Sequence, residues 1–177
     1  MTPLDVAVFT YAILSRMAYV LFVGAALRRE HRPPEAFPRF RRTASIIMKH
    51  DAVVFILLCV VTRGTLALPV PGYAATAIGA ILVVVGVGTK LWAARTLGSA
   101  AYYWHNFFDP ENARGPVSSG PYRYLSNPMY TVGYLQMYGL ALITRSLPGL
   151  IAAGFAQAAI LAFYLIVEKP HTEQLHR

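Results

Sequence analysis

Five apolar segments set the terms on which this chain can fold. They run roughly from Val6 to Leu27, Ala52 to Leu68, Tyr73 to Leu91, Met129 to Ile143 and Leu147 to Val167. A helix needs roughly 20 predominantly apolar residues to cross the ~30 Å hydrocarbon core of a bilayer. The first and third segments are the clearest; the second and fourth are short and extend through polar neighbours, such as Ile46 to Asp51 before the second. Lipid offers no hydrogen bonds to an open backbone, so spans of this kind must be helical. The expected fold is all-α, an integral membrane bundle of about five transmembrane helices. Of the 177 residues only 14% are charged, against about a quarter in a soluble domain. That length holds several spans and their loops as one membrane domain, 1–177, whose first part, 1–72, reads as an N-terminal helical hairpin. The first segment reads as a retained span rather than a secretory leader, because no Lys or Arg precedes it and Arg16 interrupts it.

The positive charges give the bundle a direction, since Lys and Arg near span ends resist translocation. Arg28, Arg29, Arg32, Arg39, Arg41, Arg42 and Lys49 follow the first segment, Lys90, Arg95, Arg114 and Arg123 follow the third, and Lys169 and Arg177 follow the fifth. With five spans these three regions share one side, and only Arg63 and Arg145 fall on the other. The N-terminus is therefore expected outside and the C-terminus in the cytoplasm, as in a bacterial-type inner-membrane protein. A net charge of +8 spread over loops in this way points to anionic headgroups rather than nucleic acid. The single cysteine, Cys59, excludes an intrachain disulfide, and the scattered His31, His50, His105, His171 and His176 give no metal site. His50 and Asp51 read as boundary residues at the start of the second span. Arg16, mid-span, must face the bundle or snorkel, with no partner named by the sequence.

The outer connections are tight, built on Pro69, Pro71 and Gly72 and on Ser146, Pro148 and Gly149. The inner side instead has a long aromatic and polar stretch from Ala93 to Pro128, and a polar tail from Glu168. Ser119-Gly120-Pro121-Tyr122-Arg123-Tyr124-Leu125-Ser126-Asn127-Pro128-Met129-Tyr130 leads straight into the fourth segment. Pro128 favours an extended Asn127 and tolerates a helix's first turn, which puts Arg123, Tyr124, Asn127 and Tyr130 at the membrane boundary.

Gly120-Pro121-Tyr122-Arg123-Tyr124, Asn127-Pro128-Met129-Tyr130 and, a helix later, Glu168 with Pro170 together resemble the membrane-embedded methyltransferases, a superfamily that includes phosphatidylethanolamine N-methyltransferases and isoprenylcysteine carboxyl methyltransferases. The resemblance covers about the last 90 residues, and the Asn-Pro-Met-Tyr form is similar to the phosphatidylethanolamine branch. It implies a methyltransferase core over 73–177 and S-adenosylmethionine as cofactor, held by Tyr124, Asn127, Pro128, Tyr130 and Glu168. Gly86 and Gly88 in the third span resemble that branch's Gly-x-Gly, with close helix packing as the competing reading. The usual Glu-Glu pair is here Glu168-Lys169, so Glu168 alone inherits the carboxylate role.

Tyr103, Trp104 and Asn106, with Arg123, are the candidate contacts for a lipid headgroup, aromatic faces being able to hold a methylated ammonium. His105, His171 and Tyr130 are the candidate catalytic groups, because a lipid amine must shed a proton before it attacks. The reading is methyl transfer to a membrane lipid or other lipophilic acceptor, phosphatidylethanolamine first, at a site facing the cytoplasm. Its rivals are an isoprenylcysteine-type carboxyl methyltransferase, a membrane isoprenoid or sterol reductase, and a non-catalytic membrane protein.

Overall fold

The computed structural model describes residues 2–29, 32–111 and 117–175, and among these it contains helices and turns but no strand. His31, Arg114, His176 and Arg177, which entered the charge and metal arguments, lie outside the described residues. Helix α1 (Pro3–Leu27) begins with a capping box: Asp5 N–H donates to Thr2 Oγ1 at 3.2 Å and Thr2 N–H to Asp5 Oδ2 at 2.6 Å. Pro3 takes the first helical position, where no backbone donor is missed. Pro33 and Pro34 break the chain before α2 (Phe37–Val61), and α3 (Gly72–Leu97) follows. The 25, 25 and 26 residues of these helices make each roughly 37–39 Å long, enough to cross a bilayer.

After α3 come a single turn, α4 (Ser99–Tyr102), and two 3-10 turns, His105–Phe107 and Gly120–Arg123. Helix α5 (Leu135–Ile143) is entered through the 3-10 turn Val132–Tyr134. Helix α6 (Leu147–Phe163) widens into a π turn (Tyr164–Glu168) and continues as α7 (Lys169–Gln174). Among the described residues four helices are thus long and apolar enough to cross a membrane. The fifth apolar helix, Val132–Ile143, reaches only about 18 Å, the rest of its depth being taken by the irregular chain before it.

Two expectations are corrected. The second span begins at Phe37 and ends at Val61, so Arg39, Arg41, Arg42 and Lys49 are helical rather than in a loop. His50 and Asp51 are mid-helix, not boundary residues, and Asp51 is buried. The extension of the second span through Ile46 to Asp51 falls within the helix, where Arg16 Nη2 pairs with Asp51 Oδ2 at 2.5 Å.

The pairing of helices follows the small residues. On α3 a Cβ at Gly79 would sit 2.6 Å from the Gly139 carbonyl, and on α5 a Cβ at Gly139 would sit 2.5 Å from that of Gly79. These helices therefore touch backbone to backbone. Helix α1 packs on α2 and α6 around Val23, Leu27, Ala44, Leu58, Ala153 and Ile160, while Leu14, Leu21, Val53, Ile81 and Val84 stay exposed for lipid.

The connections gather at two ends. At one, Gly64 N–H donates to the Thr144 carbonyl at 3.0 Å, Leu66 N–H to that of Arg145 at 2.8 Å, and the Thr62 and Ser146 hydroxyls meet at 2.5 Å. At the other, Arg32 Nε donates to the Phe107 carbonyl at 2.8 Å and Arg28 Nη2 to that of Ile166 at 3.4 Å. The basic connections after α1 and α3 and the tail after α6 thus meet at one end, as a bundle with five passages requires.

Candidate functional site

Pro170 has no N–H and its ring crowds the carbonyl four residues earlier, that of Ile166. The helix answers with the π turn at Tyr164–Glu168, and Arg28 donates to the Ile166 carbonyl from α1's end. Such widened turns re-aim the side chains that follow. Glu168 Oε2 accepts from Tyr130 Oη at 3.0 Å and from Trp104 Nε1 at 3.3 Å. Trp104 presents its indole from a left-handed backbone, φ 58°, a conformation that a bulky residue holds only when its surroundings impose it.

Tyr130 is set by its own chain. Asn127 Oδ1 accepts from Tyr130 N–H at 3.2 Å, and Gln157 Nε2 donates to the Tyr130 carbonyl at 3.2 Å. Asn127 is buried and Pro128 fully so, which fixes the turn before α5. Its approach to α3 depends on Gly120 (φ +57°), where a Cβ would meet Thr96 Oγ1 at 2.6 Å.

Two polar atoms of this cluster stay open. Glu168 Oε1 accepts no hydrogen bond among the described residues. The Tyr122 hydroxyl is buried without a partner among the described residues. Burial, then the charge of Glu168, pushes its pKa up, so it remains a proton donor at neutral pH. An uncommitted carboxylate oxygen near an unpaired phenol suits ribose hydroxyls or an ammonium group. The residues present fit an S-adenosylmethionine-type cofactor.

Above this cluster lies a cavity of about 550 Å³ between the α1–α2 and α3–α5 pairs. Its basal wall is Tyr102, Tyr103, Trp104 and Tyr130, so two of the Glu168 partners face it. Ile56 of α2 and Val83 and Val87 of α3 line its flank, with Ile56 and Val87 exposed toward lipid. Its interior carries Arg16, Asp51, Lys90 and Tyr134.

The sequence-derived candidates divide accordingly. Tyr103, Trp104 and Tyr130 line the cavity, and Glu168 and Asn127 hold Trp104 and Tyr130. His105 sits edge-on to Phe37, ring centroids 4.6 Å apart. His171 stacks on Phe107 at 3.7 Å with Nε2 3.1 Å from the Asn106 carbonyl. Neither histidine lines the cavity. Arg123 lies over the ring of the exposed Tyr124, 5.9 Å from its centroid, on the surface. Gly86 is a packing glycine, closed by the Gln136 backbone, whereas Gly88 has nothing within 4 Å. Missed in the sequence were Asp51, Lys90, Tyr134 and the Tyr122 hydroxyl; a lysine and an aspartate inside apolar helices were the available signal.

A family model described as phospholipid methyltransferase matches residues 74–177. The phosphatidylethanolamine N-methyltransferase of Clavispora lusitaniae is 31% identical over 147 residues, 77% of this chain and 17% of that protein. That of Fusarium vanettenii is 31% identical over 139 residues, 77% and 14% of the two chains, and that of Saccharomyces cerevisiae strain RM11-1a is 29% identical over 137 residues, 77% and 16%. The chain spans about a sixth of the length of these relatives. No solved structure matches it.

Proposed function

Since the chain belongs to the phospholipid methyltransferase family, we propose that it transfers a methyl group from S-adenosylmethionine to the amine of a phosphatidylethanolamine-type lipid, with its basic end in the cytoplasm. The observation that carries this reading is the Glu168, Tyr130 and Trp104 cluster, which opens on a cavity flanked by lipid. A cofactor can enter from the basic end and a lipid from the side.

The bound cofactor supplies an electrophilic methyl on a sulfonium. Displacement at that carbon is in line, so the protein's work is alignment and exclusion of water. Glu168 Oε1 would accept from the cofactor's hydroxyl or ammonium groups, and the Tyr122 hydroxyl would donate to an acceptor atom of the cofactor. Tyr130 and Trp104 lock the Glu168 carboxylate by its other oxygen. Tyr103 and Trp104 offer aromatic faces to the attacking amine and, after transfer, to the methylated ammonium. Bound there, the cofactor would supply the methyl group to the neutral amine with loss of the neutral thioether, and the ammonium so formed would release its proton to water at the basic end.

Purified protein in lipid nanodiscs, given cofactor with a labelled methyl group, should label phosphatidylethanolamine and leave a prenyl-cysteine analogue unlabelled. Glu168→Gln should weaken cofactor binding about tenfold or more, as expected when a charged hydrogen bond is lost. Label on the prenyl-cysteine alone would overturn the acceptor, and cofactor binding unchanged in Glu168→Gln would overturn the site.

A further inference from the structure

The cavity holds more positive charge than its acids offset. Among the described residues, Arg16, Lys49 and Lys90 line it against one acid, Asp51. That carboxylate is already committed, with Oδ2 on Arg16 and Oδ1 taking the Ser15 hydroxyl at 3.4 Å. Lys90, in the half of α3 nearer the basic end, has no carboxylate partner among the described residues. Its ammonium instead lies 4.8 Å from the centroid of the Tyr134 ring.

Arg16 converges on the same ring. Its guanidinium carbon is 6.0 Å from the Tyr134 centroid and its Nη1 donates to Tyr134 Oη at 3.2 Å. Arg16 is 8% exposed, and its Nε is buried with no hydrogen-bond partner. Asp51 offsets one of the two cations gathered around this phenol, and the other is costly inside a membrane unless a further anion joins it. The phenol, accepting from Arg16, keeps its own proton to donate.

We propose that Lys90, Arg16 and the Tyr134 hydroxyl form an oxyanion subsite inside the membrane that takes the phosphodiester of the acceptor lipid. The proposal rests on the lipid-methyltransferase reading above and names the part of the acceptor those residues recognise. Asp51 steers rather than binds, holding Arg16 by one edge. Tyr134 is one turn beyond Tyr130, and both line the cavity. Two carbons separate phosphate from amine in the acceptor, so anchoring the phosphate at Tyr134 carries the amine to the wall formed by Tyr130 and Trp104. The exposed apolar residues Ile56 and Val87 then flank the acyl chains.

The same subsite chemistry suits a carboxylate, which the cofactor's amino-acid end also carries, and binding separates the two sources. Wild type, Lys90→Met and Lys90→Arg are titrated in detergent with short-chain phosphatidylethanolamine and, separately, with S-adenosylhomocysteine. Lys90→Met keeps the stem that packs on Gly133 and removes the charge. It should weaken lipid binding about tenfold, leave S-adenosylhomocysteine binding within twofold, and be rescued by Lys90→Arg. A long-chain amine without phosphate should bind wild type and Lys90→Met alike.

Tyr134→Phe, which removes one oxygen and keeps the ring, gives a second reading of the subsite with a smaller loss in the same direction. Lipid binding unchanged in both Lys90→Met and Tyr134→Phe overturns the proposal, as does a loss confined to S-adenosylhomocysteine. Binding needs no turnover. A wild type that holds the phospholipid through Lys90 but methylates none therefore leaves the subsite standing and overturns the activity.

Discussion

At the scale of single residues the most consequential contact is the ion pair Arg16–Asp51, in which both side chains are about nine-tenths buried. Neither residue is explicable alone. Arg16→Met should destabilise the protein by about 3–5 kcal/mol, because it leaves an unpaired buried carboxylate. The double variant Arg16→Met/Asp51→Leu should recover most of that loss, read as detergent-solubilised unfolding midpoints. Equal loss in the single and double variants would mean that shape, not charge pairing, holds α1 to α2. A smaller effect belongs to Arg145, whose φ of 49° sits in the left-handed region at the turn before α6. Arg145→Gly removes that strain and should raise stability by about 0.5–1 kcal/mol. No rise in the unfolding midpoint would mean that the arginine side chain contributes as much as its backbone costs.

At the scale of elements, glycines that look alike in sequence do opposite things. Gly139 on α5 admits the α3 backbone, with Val83 N 2.8 Å from where its Cβ would be, whereas Gly88 faces open space. Gly139→Ala should therefore cost about 1–3 kcal/mol through overpacking. Gly88→Ala should be neutral or stabilising by up to about 1 kcal/mol, since it adds helix propensity and meets nothing. The pair is measured side by side in one thermal unfolding experiment, and the reverse order would refute the packing seam. Gly86-Val87-Gly88 shows why the spacing was ambiguous: the 3.6-residue period turns Gly86 inward and Gly88 outward. The same limit hid α2. Its apolar run and the extension to Ile46 were legible, but the first turns from Phe37, with Arg39, Arg41 and Arg42 between core residues Phe37, Phe40 and Ala44, were read as loop. The π turn was invisible too, although Pro170 was its cause, because whether a proline kinks, ends or widens a helix depends on which donor can reach the freed carbonyl.

At the scale of the whole molecule, local pattern carried far and long-range geometry did not. Apolar runs and charge asymmetry are nearest-neighbour properties, so the helical bundle and the gathering of basic connections at one end could be read from them. The Gly120 to Tyr130 run and Glu168 could also be marked, and they do meet, through Tyr130 Oη and Glu168 Oε2. What no local pattern encodes is the meeting of Lys90 and Tyr134 with Arg16 and Asp51, from opposite halves of the chain, in one cavity. Nor does pattern tell that His105 and His171 turn toward Phe37 and Phe107 instead.

That last displacement has a kinetic consequence. A lipid amine has a pKa of about 10 by analogy with lysine, so near pH 7 roughly one molecule in a thousand is the neutral nucleophile. A histidine base at the site would add an ionisation near its ordinary pKa of about 6.5. With no histidine among the described residues lining the cavity, kcat/KM should instead rise about tenfold per pH unit above 6.5, following the substrate's amine for as long as Lys90 keeps the charge that holds the lipid. The profile should keep its shape in His105→Ala and His171→Ala. An inflection that either substitution abolishes would return that histidine to the reaction, and with it a rearrangement of the aromatic wall that brings its ring to the amine.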